Sequence, residues 1–220
     1  MTTPTLSDRE APAPGRRRRN RGSEVVRDRL INAAIAEFAA HGFEGASTRR
    51  IAEAAEAHQS QIKYHFENKD ELWRRCLELL LDELDQAISS QTAADSDDPR
   101  EVMAAGIRGL VRFAATWPEL SRIMMHEATS ASDRLTWLVE THIADRRRTL
   151  EAGWARVVDA GVAAPIDVDL LYHTVIGAAS LIYANAPEAV LMGVDPSDPD
   201  LVERHADALV ALFLGPTSSS

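Results

Sequence analysis

The sequence predicts an all-α protein in two parts: a three-helix helix-turn-helix unit over residues 23–68 and a helical body over residues 69–215. Three observations carry this. Apolar residues recur at intervals of three and four along segment after segment, the period of a helix that buries one face. Alternating apolar and polar runs, the mark of a half-buried strand, are almost absent. Glycine, proline and capping residues punctuate the chain where helices of ordinary length should end.

Residues 1–22 are rich in Thr, Pro and Ala and carry Arg16, Arg17, Arg18, Arg19 and Arg21. They lack the apolar periodicity needed to offset the entropy of ordering, which predicts a disordered basic arm. Such an arm is either a solvated tail or a strap along DNA phosphates or the minor groove. Ser23 is placed to cap a first helix running to about Ala40, with Leu30, Ile31, Ala34, Ile35 and Phe38 inward and Gly42 ending it. Ser47 or Thr48 caps a second helix, with Ile51, Ala52 and Ala55 inward. A third short helix spans roughly Gln59 to His65. Asn68-Lys69-Asp70-Glu71 opens a fourth, with acidic residues in the first turn where the helix dipole favours them. That helix carries Leu72, Trp73, Cys76, Leu77, Leu80, Leu84 and Ile88.

Residues 91–98 form a polar break. A weakly amphipathic helix follows from Pro99 to about Thr116, and Trp117-Pro118-Glu119 opens another with proline at its first position. Ser132 or Asp133 begins a long helix expected to continue to Ala160, where Gly161 and Pro165 stop it. Asp167 begins a helix over about 167–186 that is apolar on nearly every side. The last helix spans about 199–214, and residues 216–220 form a Thr-Ser tail expected to be disordered.

At 220 residues and 45% hydrophobic content, the chain is long enough to bury a sizeable core. A single cysteine, Cys76, leaves no internal disulfide framework and fits a reducing cytosol. No apolar run approaches a membrane span and the N-terminus lacks a signal-peptide core, so a cytoplasmic location away from membranes is expected. The net charge of −10 conceals an asymmetry. Residues 1–75 hold 14 Lys and Arg against 11 Asp and Glu, a net of +3, whereas the remainder holds 10 against 23, a net of −13. A basic head on an acidic body suits a protein that presents only its N-terminal third to phosphate.

The third helix is the most informative. Its residues are Gln, Ser, Gln, Ile, Lys, Tyr and His, and Ile62 alone is plainly apolar. A helix this polar, held between helices that do have apolar faces, is presented to a polar partner. In a helix-turn-helix that partner is the major groove of double-stranded DNA. Gln59, Ser60, Gln61 and Lys63 are the candidate base readers, since Gln pairs two-fold with adenine and Lys donates to guanine. Tyr64 and His65 offer donors on rigid rings for the DNA backbone, and Phe66 is read as core. Arg50 opens the second helix as a further DNA candidate. Thr48 can cap that helix and can also hold a phosphate at its N-terminus.

From Phe43 to Leu72 the chain resembles the tetracycline-repressor (TetR) family of bacterial transcriptional regulators. The resemblance lies in Ser47-Thr48-Arg49-Arg50-Ile51-Ala52-Glu53-Ala54-Ala55, in Tyr64-His65-Phe66 and in Asn68-Lys69-Asp70-Glu71-Leu72. It implies that Arg49 can reach a guanine edge and that Lys69 grips a phosphate. It also implies a homodimer on a palindromic operator and a small-molecule effector bound in the body. Where the family usually has glycine in the turn after the second helix, this chain has Glu56.

The body offers Trp117, Met124, Met125, His126, Trp137, His142, Trp154, Tyr172, His173 and Tyr183 as groups able to line an effector pocket, each equally readable as helical core. Met and aromatic linings favour apolar or amphipathic ligands. No metal spacing, phosphate loop or nucleophile–base pair stands out, so neither a cofactor nor an enzyme is expected. The helices over about 167–186 and 199–214 fit a four-helix dimer seam, or the core of a monomer. Arg146, Arg147 and Arg148 read as a solvated face or as ion pairs with Glu151 and nearby acids. Two other readings remain: a helical small-molecule carrier or enzyme with a non-functional DNA motif, and an architectural DNA binder without an effector.

Overall fold

A computed structural model describes residues 14–91 and 96–216, with side chains from Ser23 onward. Among them every regular element is helical: α1 (Pro14–Gly45), α2 (Thr48–Ala54), α3 (Gln59–His65), α4 (Lys69–Ser89), α5 (Pro99–Thr116), α6 (Pro118–Glu127), α7 (Asp133–Leu138), a π-helical turn (Val139–Ile143), α8 (Ala144–Asp159), α9 (Val168–Ala184), α10 (Ala186–Leu191) and α11 (Pro199–Leu214).

Three boundaries differ from the sequence reading. α1 starts at Pro14 instead of Ser23, so the segment expected to be disordered is helical from Pro14 onward. Arginine is a good helix former and proline is tolerated in a first turn, so nothing between them stops the helix. Residues 1–13 of the arm and residues 217–220 of the tail lie outside the described residues. The long helix expected up to Ala160 is interrupted by the π-helical turn, where the Ala144 amide donates to the Val139 carbonyl, five residues back. That slip re-aims α8, which buries Trp154 and Val157, relative to α7, which buries Leu138. A 3.6-residue sequence period carries no mark of such a slip. Finally, α10 was not expected at all; it buries only Ala189 and leans on α9.

Caps set the remaining boundaries as side-chain chemistry dictates. Ser47 caps α2, accepting from the Arg50 amide, which settles the choice between Ser47 and Thr48. Asn68 accepts from the Glu71 amide at 2.8 Å, and the Glu71 carboxylate accepts the Glu67 amide in return at 2.7 Å. Asp98, Ser132, Asp167 and Asp198 cap α5, α7, α9 and α11.

α5 is the central helix of the body, packed against α4, α6, α8, α9 and α11. α1 packs on α2 and α4 and also on α6 of the body. One continuous apolar core therefore runs from Leu30 and Phe38 through Trp73 and Leu77 to Val111, Leu171 and Leu214. The head is anchored on the body along this core.

Candidate nucleic-acid interface and effector body

α3 is held by its one apolar residue. Ile62 and the following Phe66 are buried, whereas Gln59, Ser60, Lys63 and Tyr64 are exposed and Gln61 and His65 are half-buried. Tyr64 is 78% exposed. Its ring lies edge-on to His65, with centroids 4.9 Å apart. Burial and the neighbouring Arg27 charge push the His65 imidazole below its ordinary value, so it is neutral at neutral pH.

α2 and α3 are tied at their N-termini, where Gln59 Nε2 donates to Thr48 Oγ1 at 3.0 Å. The turn between them places Glu56 at φ 50°, the left-handed conformation that its position suggested. Glu56 also pairs with Arg29 of α1 at 3.3 Å.

The two arginines of α2 separate in role. Arg49 is 79% exposed and, among the described residues, pairs only with Glu53 one turn on, an exposed pair of little energetic worth that it can exchange for a DNA group. Arg50 is engaged inward. Its Nε donates to Glu37 Oε1 at 2.8 Å and its Nη2 donates to the Gly45 carbonyl at 2.8 Å. Lys69, at the start of α4, is half-buried, with Nζ 4.6 Å from the centre of the Phe43 ring. Burial, aided by the Arg134 charge, pulls its ammonium below the ordinary value, while Glu44 and Glu37 oppose that.

The body sorts the aromatic and sulfur inventory. Trp137 meets His142 at 5.0 Å and Trp73 at 6.0 Å, with the Arg74 guanidinium 4.5 Å over its ring. His142 sits on the π-helical turn, and burial together with Arg146 pushes its imidazole down, against the charges of Glu78, Asp82 and Asp85. Trp154 is buried and Tyr172 half-buried. Trp117 and Met124 are half-buried against the core. Tyr183 is buried and bonded to His205, a residue absent from the pocket inventory, at 3.0 Å. Met125, His126 and His173 are exposed. Among the described residues, Trp73 Nε1, Arg75 Nε, His142 Nε2 and Trp154 Nε1 are buried polar atoms without a hydrogen-bond partner.

A groove of about 370 Å³ lies elsewhere, between α9 and α10, lined by Gly177, Leu181, Ile182, Asn185, Met192 and Val194 among others. It contains none of the inventory residues. Sequence reasoning missed it because it depends on α10, whose six residues carry no periodic signal.

Cys76 is fully buried, its thiol donating to the Ile31 carbonyl, and burial pushes its pKa well up, so it is packing and not a redox group. The basic run on α8 makes ion pairs, though not with Glu151: Arg146 with Asp85, Arg147 with Asp169 and Arg148 with Asp145. No cluster of three metal-ligating side chains occurs among the described residues. No helix of theirs is long and apolar enough to cross a membrane.

An exposed polar helix clamped by two apolar-faced ones, on an otherwise all-helical body, is the arrangement of a helix-turn-helix DNA-binding unit. Residues 30–76 match the tetR family of bacterial regulatory proteins. It is 38% identical over 107 residues to the HTH-type transcriptional repressor SCO4008 of Streptomyces coelicolor, covering 49% of this chain and 52% of that one. The chain thus spans about half the length of that relative. It is 28% identical over 156 residues to the HTH-type transcriptional regulator RutR of Escherichia coli, covering 68% of this chain and 70% of that one. Among solved structures, AibR in complex with isovaleryl coenzyme A and operator DNA matches with a TM-score of 0.70 at 20% identity, over 87% of this chain and 99% of that one. That likeness concerns the fold. Both relatives are HTH-type transcriptional regulators.

Proposed function

We propose that this chain is a ligand-responsive repressor that acts in the bacterial cytoplasm as a homodimer on a palindromic operator. The observation that carries the DNA reading is α3, which buries Ile62 alone and exposes Gln59, Ser60, Lys63 and Tyr64 together. Gln59, Ser60, Gln61 and Lys63 are its base readers and Arg49 reaches a guanine edge, while Thr48, Tyr64, His65 and Lys69 hold the phosphate backbone. Arg50 fixes α2 on α1 and acts on DNA through that placement.

The dimer forms through α9 and α11. Leu170 and Leu181 of α9 and Leu212 of α11 are 63%, 52% and 73% exposed in a single chain, and a second copy would cover them. Two heads would then enter major grooves about one helical turn, roughly 34 Å, apart. The effector site lies in the body, near Trp137 and Tyr172, where Trp73 Nε1, His142 Nε2 and Trp154 Nε1 are buried polar atoms without a hydrogen-bond partner. AibR, of the same fold, was solved with an acyl coenzyme A, and an amphipathic acyl effector suits such surroundings here. Effector binding favours a head spacing that misses the operator, which requires a differential affinity of several kcal/mol between the two states.

Selection of genomic fragments by the purified protein, followed by titration on the winner and on a scrambled duplex, tests this. Enrichment of one palindrome with a large specificity ratio is expected. Lys63→Ala should then relax sequence preference, while Lys69→Ala weakens all duplexes alike and lowers the salt slope by about 1. Fragments bound alike, with no palindrome enriched, would refute a site-specific regulator.

A further inference from the structure

The corner that joins head to body is built around one aromatic ring. Phe43, just after the Gly42 break in α1, has the Arg134 guanidinium carbon 3.6 Å and the Lys69 ammonium 4.6 Å from its ring centre. Arg134 belongs to α7 of the body; Phe43 and Lys69 belong to the head and its junction with α4. Arg134 Nη2 also pairs with Glu44 at 3.2 Å, and its Nε pairs at 3.3 Å with Glu127, a carboxylate only 6% exposed. Ser132, the cap of α7, donates its hydroxyl to the same Glu127. On the neighbouring side the His126 ring lies against Gly42, where an added Cβ would meet it at 3.2 Å.

Lys69 and Arg134 therefore both lie against the Phe43 ring, and the exposed Glu44 that pairs with Arg134 also acts by its charge on Lys69. A cation is attracted to an aromatic ring by its quadrupole, but two cations held at one ring repel each other, and the Arg134 charge acts against the Lys69 ammonium. Arg134 is the better occupant: its planar guanidinium stacks on the ring while its fork holds Glu44 and Glu127 together. Lys69, with a flexible stem, is the one free to leave. We infer that Arg134 is a positioning residue for DNA binding: by occupying Phe43 and Glu44 it keeps the Lys69 ammonium available to a phosphate, and so makes the grip of the head depend on where α7 sits. α7 is a six-residue helix that carries Trp137 and runs directly into the π-helical turn bearing His142. A ligand that displaces Trp137 or His142 would shift Arg134 with them, leaving Phe43 and Glu44 to hold Lys69 alone and more tightly.

The inference rests on the proposed phosphate role of Lys69, and a double-mutant cycle separates the two. Operator and scrambled duplexes would be titrated across a salt series with the full-length wild type, Lys69→Ala, Arg134→Gln and the double variant, each first checked for cooperative unfolding. Arg134→Gln should weaken both duplexes about three- to tenfold, an interaction of the size expected between neighbouring side chains. It should also reduce the salt slope as Lys69→Ala does, and it should add almost nothing in the Lys69→Ala background. Arg134→Lys, which keeps the charge, should recover part of the loss. Phe43→Leu, which keeps an apolar packing group but removes the π face, should show the same non-additivity and serves where Arg134→Gln does not fold. Full additivity of Arg134→Gln and Lys69→Ala would overturn the positioning role while leaving the phosphate role of Lys69 standing. Wild-type affinity and salt slope in Lys69→Ala would remove that phosphate role and the inference with it.

Discussion

Glu37 of α1 and Arg50 of α2 form the joint on which the head is assembled. Glu37 Oε1 accepts the Arg50 Nε–H and the Ser47 amide, each at 2.8 Å, so one carboxylate fixes both the cap and the first turn of α2. Burial alone would raise the Glu37 carboxyl, but the Arg50 and Ser47 hydrogen bonds and the charges of Arg50 and His41 outweigh it and hold it below its ordinary value. Glu37→Ala should lower the unfolding free energy by about 1.5–3 kcal/mol, the range for hydrogen bonds to a charged group. Denaturant titration measures this. DNA affinity should fall equally for operator and scrambled duplexes, because the base readers on α3 are untouched.

Glu56 tests how the helix-turn-helix tolerates a side chain where φ is 50°. Glu56→Gly and Glu56→Ala both remove the exposed ion pair with Arg29, so their difference isolates the backbone. The glycine variant should be the more stable of the two by about 1 kcal/mol, the cost of a left-handed conformation for a residue with a Cβ. Equal melting temperatures would mean that the turn relaxes without strain.

The head was legible because its signals are local. Ser47, Asn68, Ile62 and Phe66 act through neighbours a few positions away, and the polar run of α3 states its own exposure. The fate of Arg50 was not legible, since the carboxylate that claims it lies thirteen positions back on another helix. The body was legible in helix order but not in detail. The π-helical turn keeps the helical hydrogen-bonding habit while changing its register, and the α9–α10 groove depends on a helix too short to show a period. His205 carries no local signal of its role, because its partners Tyr183 and Ala178 are supplied by α9 across the packing.

The crossing of α4 and α5 depends on Gly109. A Cβ there would stand 2.6 Å from the Ala87 carbonyl oxygen and 2.8 Å from the Ile88 Cα, backbone that cannot swing aside. Gly109→Ala should therefore destabilise the protein by about 1–3 kcal/mol, as overpacking does. Gly106, one turn earlier on the same helix, has only the Ile88 side chain at 3.9 Å. Gly106→Ala should be neutral or stabilising by up to about 1 kcal/mol through helix propensity. Thermal unfolding of the pair distinguishes a close crossing from a general aversion of α5 to alanine.

The last prediction concerns pH and the α9–α11 pair. His205 Nε2 lies 3.1 Å from the Ala178 carbonyl, which can only accept, so Nε2 carries the hydrogen and Nδ1 accepts from the Tyr183 hydroxyl at 3.0 Å. Burial pushes the Tyr183 phenol up to about 12, so it remains a donor throughout the working range. Burial likewise pulls the His205 imidazole below its ordinary value of 6.5, only partly opposed by the Ala178 hydrogen bond. A histidine with a depressed folded value binds fewer protons folded than unfolded. Its contribution is complete above about pH 6.5 and is lost as the pH falls through that value toward the folded one. His65 and His142 are lowered in the same direction, so the melting temperature should drop between about pH 7.5 and 5.5, a window above that of carboxylate titration. His205→Gln should flatten part of that slope, whereas Tyr183→Phe should cost about 0.5–1.5 kcal/mol for the lost hydrogen bond and leave the slope in place. A slope unchanged in His205→Gln would assign the pH response to the other two histidines.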